Sequence, residues 1–229
     1  MKRPRALRFA TGKVRTVAHR TGTAAETIGP LEDGVRVTGV TAGQFSSIDA
    51  LEHIANELGP CEALVSTWTT GVYDVHRAAA LRANGNLLGV RMLLDRGTFE
   101  KSPKYAGPLI KALGVDAFRC LSVHAKVTVL VRPDGFGAVM RSSMNLNKNL
   151  RTEQFDLDVG GPAVDFFRLW FEGLWTEAGR SQDNRTIIAA VYDRFLELPP
   201  VDASADPSPI GAIGPDDGLS GLDLGEFGT

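Results

Sequence analysis

The chain has 229 residues, 43% of them hydrophobic and 23% charged, with two cysteines and a formal net charge of -2. That is enough apolar material for one sizeable core, while no apolar run nears the roughly 18 residues of a membrane span and no apolar stretch near the N-terminus resembles a signal peptide. A cytoplasmic protein without a membrane partner is therefore expected, and Cys61 and Cys120 read as reduced, buried thiols rather than a disulfide framework.

The charge is unevenly spread. Residues 1–33 begin with seven cations, from Lys2 to Arg20, before the first acid, Glu26, and read as a basic N-terminal arm. Residues 199–229 hold six acids and no Lys or Arg, are rich in Pro, Gly and Ser, and read as a disordered acidic tail. The residues before the tail then carry 25 cations against 21 acids, a net +4. A basic body suits a polyanion such as nucleic acid, and the tail could compete for the same groove as a phosphate mimic.

Residues 34–198 read as a single domain. Val35 to Thr41 is a predicted strand. Ser47 to Leu58 is a helix capped by Ser46 or Ser47, with Ile48, Leu51, Ile54, Ala55 and Leu58 on one face. Ala63 to Thr67 is a strand, Tyr73 to Ala83 a helix, Leu87 to Leu94 a strand and Lys104 to Leu113 a helix. Asp116 to Val131 reads as one long strand, and Arg132-Pro133-Asp134-Gly135 as the turn of a hairpin returning through Phe136 to Ser143. Phe155, Leu157 and Val159 alternate as a strand. A helix from Pro162 carries a core stripe of Ala163, Phe166, Phe167, Trp170, Phe171 and Leu174, and a last helix spans Asp183 to Leu198. Strands alternating with helices predict an α/β fold, with a mixed, largely parallel sheet flanked by helices.

The chemistry gathers around the hairpin. On a strand, Val123, Ala125, Val127, Val129 and Val131 would form an apolar face, with Ser122, His124, Lys126 and Thr128 opposite. The hairpin brings back Ser142-Ser143-Met144-Asn145-Leu146-Asn147-Lys148-Asn149, followed by Glu153. A zinc site from Cys120 and His124 fails on distance, since four strand residues separate them by roughly 13 Å and ligands sit about 2.0–2.3 Å from zinc. Thr11-Gly12-Lys13 lacks the earlier glycine of a phosphate-binding loop, with Leu7 in its place, and there is no G-x-S-x-G serine elbow. Phosphoryl chemistry remains. A neutral imidazole can attack phosphorus, Lys126 can offset transition-state charge, and Ser143 and Asn145 can donate to phosphate oxygens.

His124-Ala125-Lys126, then Ser142-Ser143-Met144-Asn145 and Glu153, resembles the H-x-K … G-S-x-N … E signature of the phospholipase D superfamily of phosphodiesterases and nucleases. With Ser66-Thr67-Trp68-Thr69 closing an earlier strand, the chain is similar to the single-motif proteins of phages and prophages. The resemblance in fold spans about residues 34–180. It implies that His124 forms a covalent phosphohistidine, that Lys126, Ser143 and Asn145 hold phosphate, and that Glu153 orients a histidine. It further implies catalysis without metal or other cofactor, by a homodimer whose two copies of His124 face one phosphate, with a bell-shaped pH profile. Nucleic acid, DNA in particular, is the expected substrate. Two positions depart from the signature: Val131 stands where an aspartate is usual, with Asp134 displaced into the turn, and Ser142 stands where a glycine is usual. A non-catalytic nucleic-acid-binding or structural protein is the alternative that these departures favour.

Overall fold

Alternate residues of Val35–Thr41 are buried, as a half-covered strand requires, and this segment is β2 of a single eight-stranded sheet. The structure is a computed structural model in which residues 12–18, 22–70, 77, 80–101, 103–146 and 151–199 are described. The first eleven residues of the basic arm, His19, most of the predicted helix from Tyr73 with His76, residues 147–150 and the acidic tail from 200 onward lie outside the described residues.

The strands are β1 (Lys13–Ala18), β2, β3 (Cys61–Thr67), β4 (Leu87–Asp95), β5 (Phe118–Leu121), β6 (Val127–Val131), β7 (Gly137–Ser142) and β8 (Glu153–Val159). Their order across the sheet is β1-β2-β8-β7-β6-β3-β4-β5. The sheet is mixed, as expected, but it is not largely parallel, because the β6–β7 hairpin and its neighbours make the centre antiparallel. Its parallel pairs, β1 with β2, β3 with β4 and β4 with β5, sit towards the two edges, and the four pairs between β2 and β3 are antiparallel. The tight β6–β7 hairpin explains the central ladder: Arg132 donates to the Phe136 carbonyl at 2.8 Å and Asp134 takes the Phe136 amide at 3.1 Å.

Helices α1 (Ala24–Ile28), α2 (Ser47–Leu58), α3 (Arg96–Lys101), α4 (Pro103–Leu113), α5 (Gly161–Gly179) and α6 (Gln182–Leu196) complete the layers. The main core lies between one sheet face and α1, α2, α4 and α6; the smaller one places Ala163, Val164 and Phe171 of α5 over Leu64, Leu93, Val127, Val129 and Val139. Ser46 and Asp49 form a capping box that fixes the start of α2.

Two further sequence expectations change. Residues 13–18 and 24–28, read as part of a basic arm, are β1 and α1: Arg15 donates to the carbonyls of Ile28 and Pro30, so a cation that reads as solvated serves to tie α1 to β1. The long strand Asp116 to Val131 is two strands. β5 is the edge strand beside β4, whereas β6 lies between β3 and β7, and no single strand can occupy both places. Residues 122–126 cross between them over the ends of β4 and β3. Beyond this crossing the half-polar alternation stops, because β6 is buried on both faces, with Thr128 only 3% exposed.

Candidate active site

The register brings the predicted residues to one end of the sheet. Ser66 of β3 pairs with Val127, Val127 with Arg141, Ser142 with Phe155, and Glu153 with Thr41, so the ends of β2, β3 and β7 and the starts of β6 and β8 lie together. His124 and Lys126 occupy the crossing just before β6. The Ser66 hydroxyl donates to the Ala125 carbonyl at 2.8 Å, and the Ser142 amide to the Lys126 carbonyl at 3.1 Å. These two bonds hold the crossing segment between β3 and β7, so its side chains are presented by fixed backbone.

His124 is exposed, and Lys126 Nζ lies 3.1 Å from its Nδ1 and 3.3 Å from its Nε2. An ammonium can only donate, and its near-equal distances from the two nitrogens place its positive charge beside the ring rather than along one lone pair. Partial burial holds the Lys126 ammonium below the ordinary lysine value, and the negative charge of Glu153 opposes that effect. The Ser143 hydroxyl donates to the Glu153 carboxylate and accepts from the Gln154 amide at 3.0 Å, while the Ser143 amide donates to the Gln154 carbonyl at 3.0 Å. Asn145 sits between Met144 and Leu146, both buried, and its Oδ1 is buried without a hydrogen-bond partner among the described residues. The structure thus gathers His124, Lys126, Ser143 and Glu153 at one sheet end, and anchors the loop bearing Asn145 beside them.

Both departing positions lie in regular strands. Val131 lies at the far end of β6, opposite Glu62, about 16 Å along the strand from Lys126. Asp134 is engaged in the turn, by Arg132 at 2.6 Å and the Phe136 amide. Ser142 is an ordinary strand residue, and no non-glycine residue among those described has a positive φ, so its backbone does not demand glycine.

Trp68 joins the site without having been assigned a role from sequence. Its ring centroid is 5.5 Å from that of His124, with the planes 49° apart. Thr67 Oγ1 donates to the Thr69 carbonyl at 2.9 Å and accepts from the Leu146 amide at 3.2 Å, and Thr70 bridges to Leu146, so the Trp68 segment is bound to the loop that follows Ser143. An aromatic residue at the end of a strand is the only local signal; the partnership with His124 is set by topology.

Other titratable groups serve the fold. His53 shares a hydrogen bond with the Gly29 carbonyl at 2.7 Å, joining α2 to the end of α1. Both cysteines are free, and burial pushes the thiols up to about 11 at Cys61 and about 12 at Cys120, which leaves them protonated and inert. Among the described residues no three His, Cys, Asp or Glu side chains are grouped to hold a metal ion, and no helix is long and apolar enough to cross a membrane.

No protein-family model matches the sequence, and no curated protein matches it. Among solved structures, the chain is similar to the crystal structure of Nuc, a phospholipase D family member from Salmonella typhimurium, with 14% identity and a TM-score of 0.47 over 62% of this chain and 93% of that one.

Proposed function

We propose that this protein is a metal-independent phosphodiesterase of the phospholipase D type, most suited to nucleic acid, in which His124 is the nucleophile. The observation that carries the reading is the Lys126 ammonium 3.1 Å from the His124 ring, at the sheet end where Ser143 and Glu153 also meet. An imidazole nitrogen of His124 attacks phosphorus; the phosphorus–nitrogen bond forms as the bond to the leaving oxygen breaks. A second, protonated histidine gives that oxygen its proton, then takes one from water, whose oxygen displaces His124 and releases the phosphate. In this reading the second histidine is His124 of another copy of the chain. Lys126 offsets the charge gathered on the phosphate oxygens, with Asn145 as a neutral donor and Ser143 as a second once its hydroxyl proton turns from Glu153 to the phosphate, and loss of one such donor costs about 3 kcal/mol of barrier. Glu153 holds Ser143 in place and favours the charged form of Lys126.

The net positive charge of the residues before the tail supports a polyanionic substrate. The test is cleavage of labelled single- and double-stranded DNA and RNA in EDTA, by the full chain and by His124→Ala. Cleavage that survives the chelator and disappears in the variant is the expected result. Salt-sensitive binding by both proteins with cleavage by neither would replace this reading with that of a nucleic-acid-binding module.

A further inference from the structure

Trp68 is 40% exposed although the three residues before it, Val65, Ser66 and Thr67, are each only 2% exposed. A large apolar ring left open at the end of a central strand, on a segment fixed by three separate contacts, is a surface prepared before any ligand arrives. One side of the indole meets the His124 ring. The indole also lines a shallow hollow with Thr69, Thr70, Leu94, Thr98, Phe99, Tyr105 and Ala106. At the rim, the Lys104 ammonium lies 4.8 Å above the Tyr105 ring. An aromatic surface, several hydroxyls and a cation thus adjoin the nucleophile.

A phosphodiester whose phosphorus sits at His124 must place its flanking group next to that ring. Among biological phosphodiesters, a nucleotide carries a flat π-system that an indole can stack, polar edges that hydroxyls can meet, and a further phosphate that a lysine at the rim can attract. Base pairing hides the face of a base within the duplex stack, so only an unpaired base can lie on Trp68. We propose that the exposed ring of Trp68 stacks the base next to the scissile phosphate, and that single-stranded nucleic acid is the preferred substrate. This rests on the phosphodiesterase reading of His124 and specifies its substrate.

The experiment measures binding by fluorescence anisotropy, using the full chain carrying His124→Ala so that no probe is consumed. The probes are a labelled short oligothymidylate, the same backbone with abasic sites, and a duplex of equal length. Removing the bases should weaken binding about tenfold, a step worth ~1.4 kcal/mol. In the double variant His124→Ala, Trp68→Leu, intact and abasic probes should bind alike, and Trp68→Phe should restore much of the difference. Equal affinity for intact and abasic strands in the His124→Ala protein, or tighter binding of the duplex, would overturn the inference. Cleavage by the wild-type chain that ignores the bases would leave the phosphodiesterase reading standing and remove the base site. Base-dependent binding that needs Trp68, without cleavage by the wild-type chain, would do the reverse.

Discussion

His124 is exposed and its polar contact is with the flexible side chain of Lys126, so its removal should cost function and little stability. His124→Ala is expected to abolish cleavage while shifting unfolding free energy by no more than about 0.5 kcal/mol in a denaturant titration; a large loss of stability would mean that the ring is structural. Glu153 permits a sharper test, because it acts on Lys126 by charge. Burial favours the neutral amine and the carboxylate favours the ammonium. Glu153→Gln removes only the second influence, so the lysine should lose its proton at a lower pH than in the wild-type chain, read directly by an NMR titration of the Lys126 ammonium. An unmoved midpoint would show that Glu153 does not act on Lys126 by charge. At this scale the grouping of His124, Lys126, Ser143, Asn145 and Glu153 was legible because they flank one hairpin, the first two just before it and the others just after. Ser66 and Trp68 were not, since Ser66 meets Ala125 across 59 positions and no local periodicity records such a contact.

The elements holding the site were read well where period and cap agreed, as in Val35–Thr41 and Ser47–Leu58, both of which have the expected bounds. They were misread where burial changes along a continuous alternating pattern. Residues 118–131 alternate almost continuously, yet the chain leaves one strand position and enters another, and the break at 122–126 creates the platform for His124. Asn184 of α6 helps secure the first half. Its side chain accepts from the Cys120 amide at 2.8 Å and donates to the Cys120 carbonyl at 2.7 Å, giving edge strand β5 the pair of bonds that another strand would supply. Asn184→Ala should cost about 2–3 kcal/mol, because two buried backbone groups lose their partners, and hydrogen exchange should quicken first at Cys120. Packing of α6 on α4 offers a test in which propensity and sterics compete. Alanine at Gly107 would gain about 1 kcal/mol of helix propensity, but its Cβ would fall 2.0 Å from Phe195 Cγ and 2.4 Å from Phe195 Cβ. The second atom cannot swing away by rotation of the ring, so overpacking should prevail and Gly107→Ala should destabilise by about 1–2 kcal/mol. A more stable variant would show that α4 and α6 separate easily.

The whole molecule faces a constraint that no single element resolves. The proposed chemistry needs a neutral histidine to attack and a protonated one to donate at the same phosphate, and a base on one side of a strand-end platform cannot also approach the leaving oxygen from the opposite side. His53, described within α2, is bound to Gly29 at the joint between two helices and belongs to the fold. A twofold pair of chains would supply both roles from one gene product, since an isologous contact places the same residue from each copy about a common axis. Activity should then depend on concentration: specific activity should fall on dilution as light scattering reports dissociation, and a monomer should be inactive. Mixing gives the stricter test. Adding excess His124→Ala chain to a fixed amount of wild-type chain and allowing exchange should draw wild-type copies into mixed pairs that lack either the nucleophile or the acid, so total activity should fall as variant is added. Independent sites predict no change, because each wild-type chain would keep a complete site whatever its neighbour. A constant activity in that titration, with exchange confirmed by differently labelled chains, would place the proton donor within the same chain as His124.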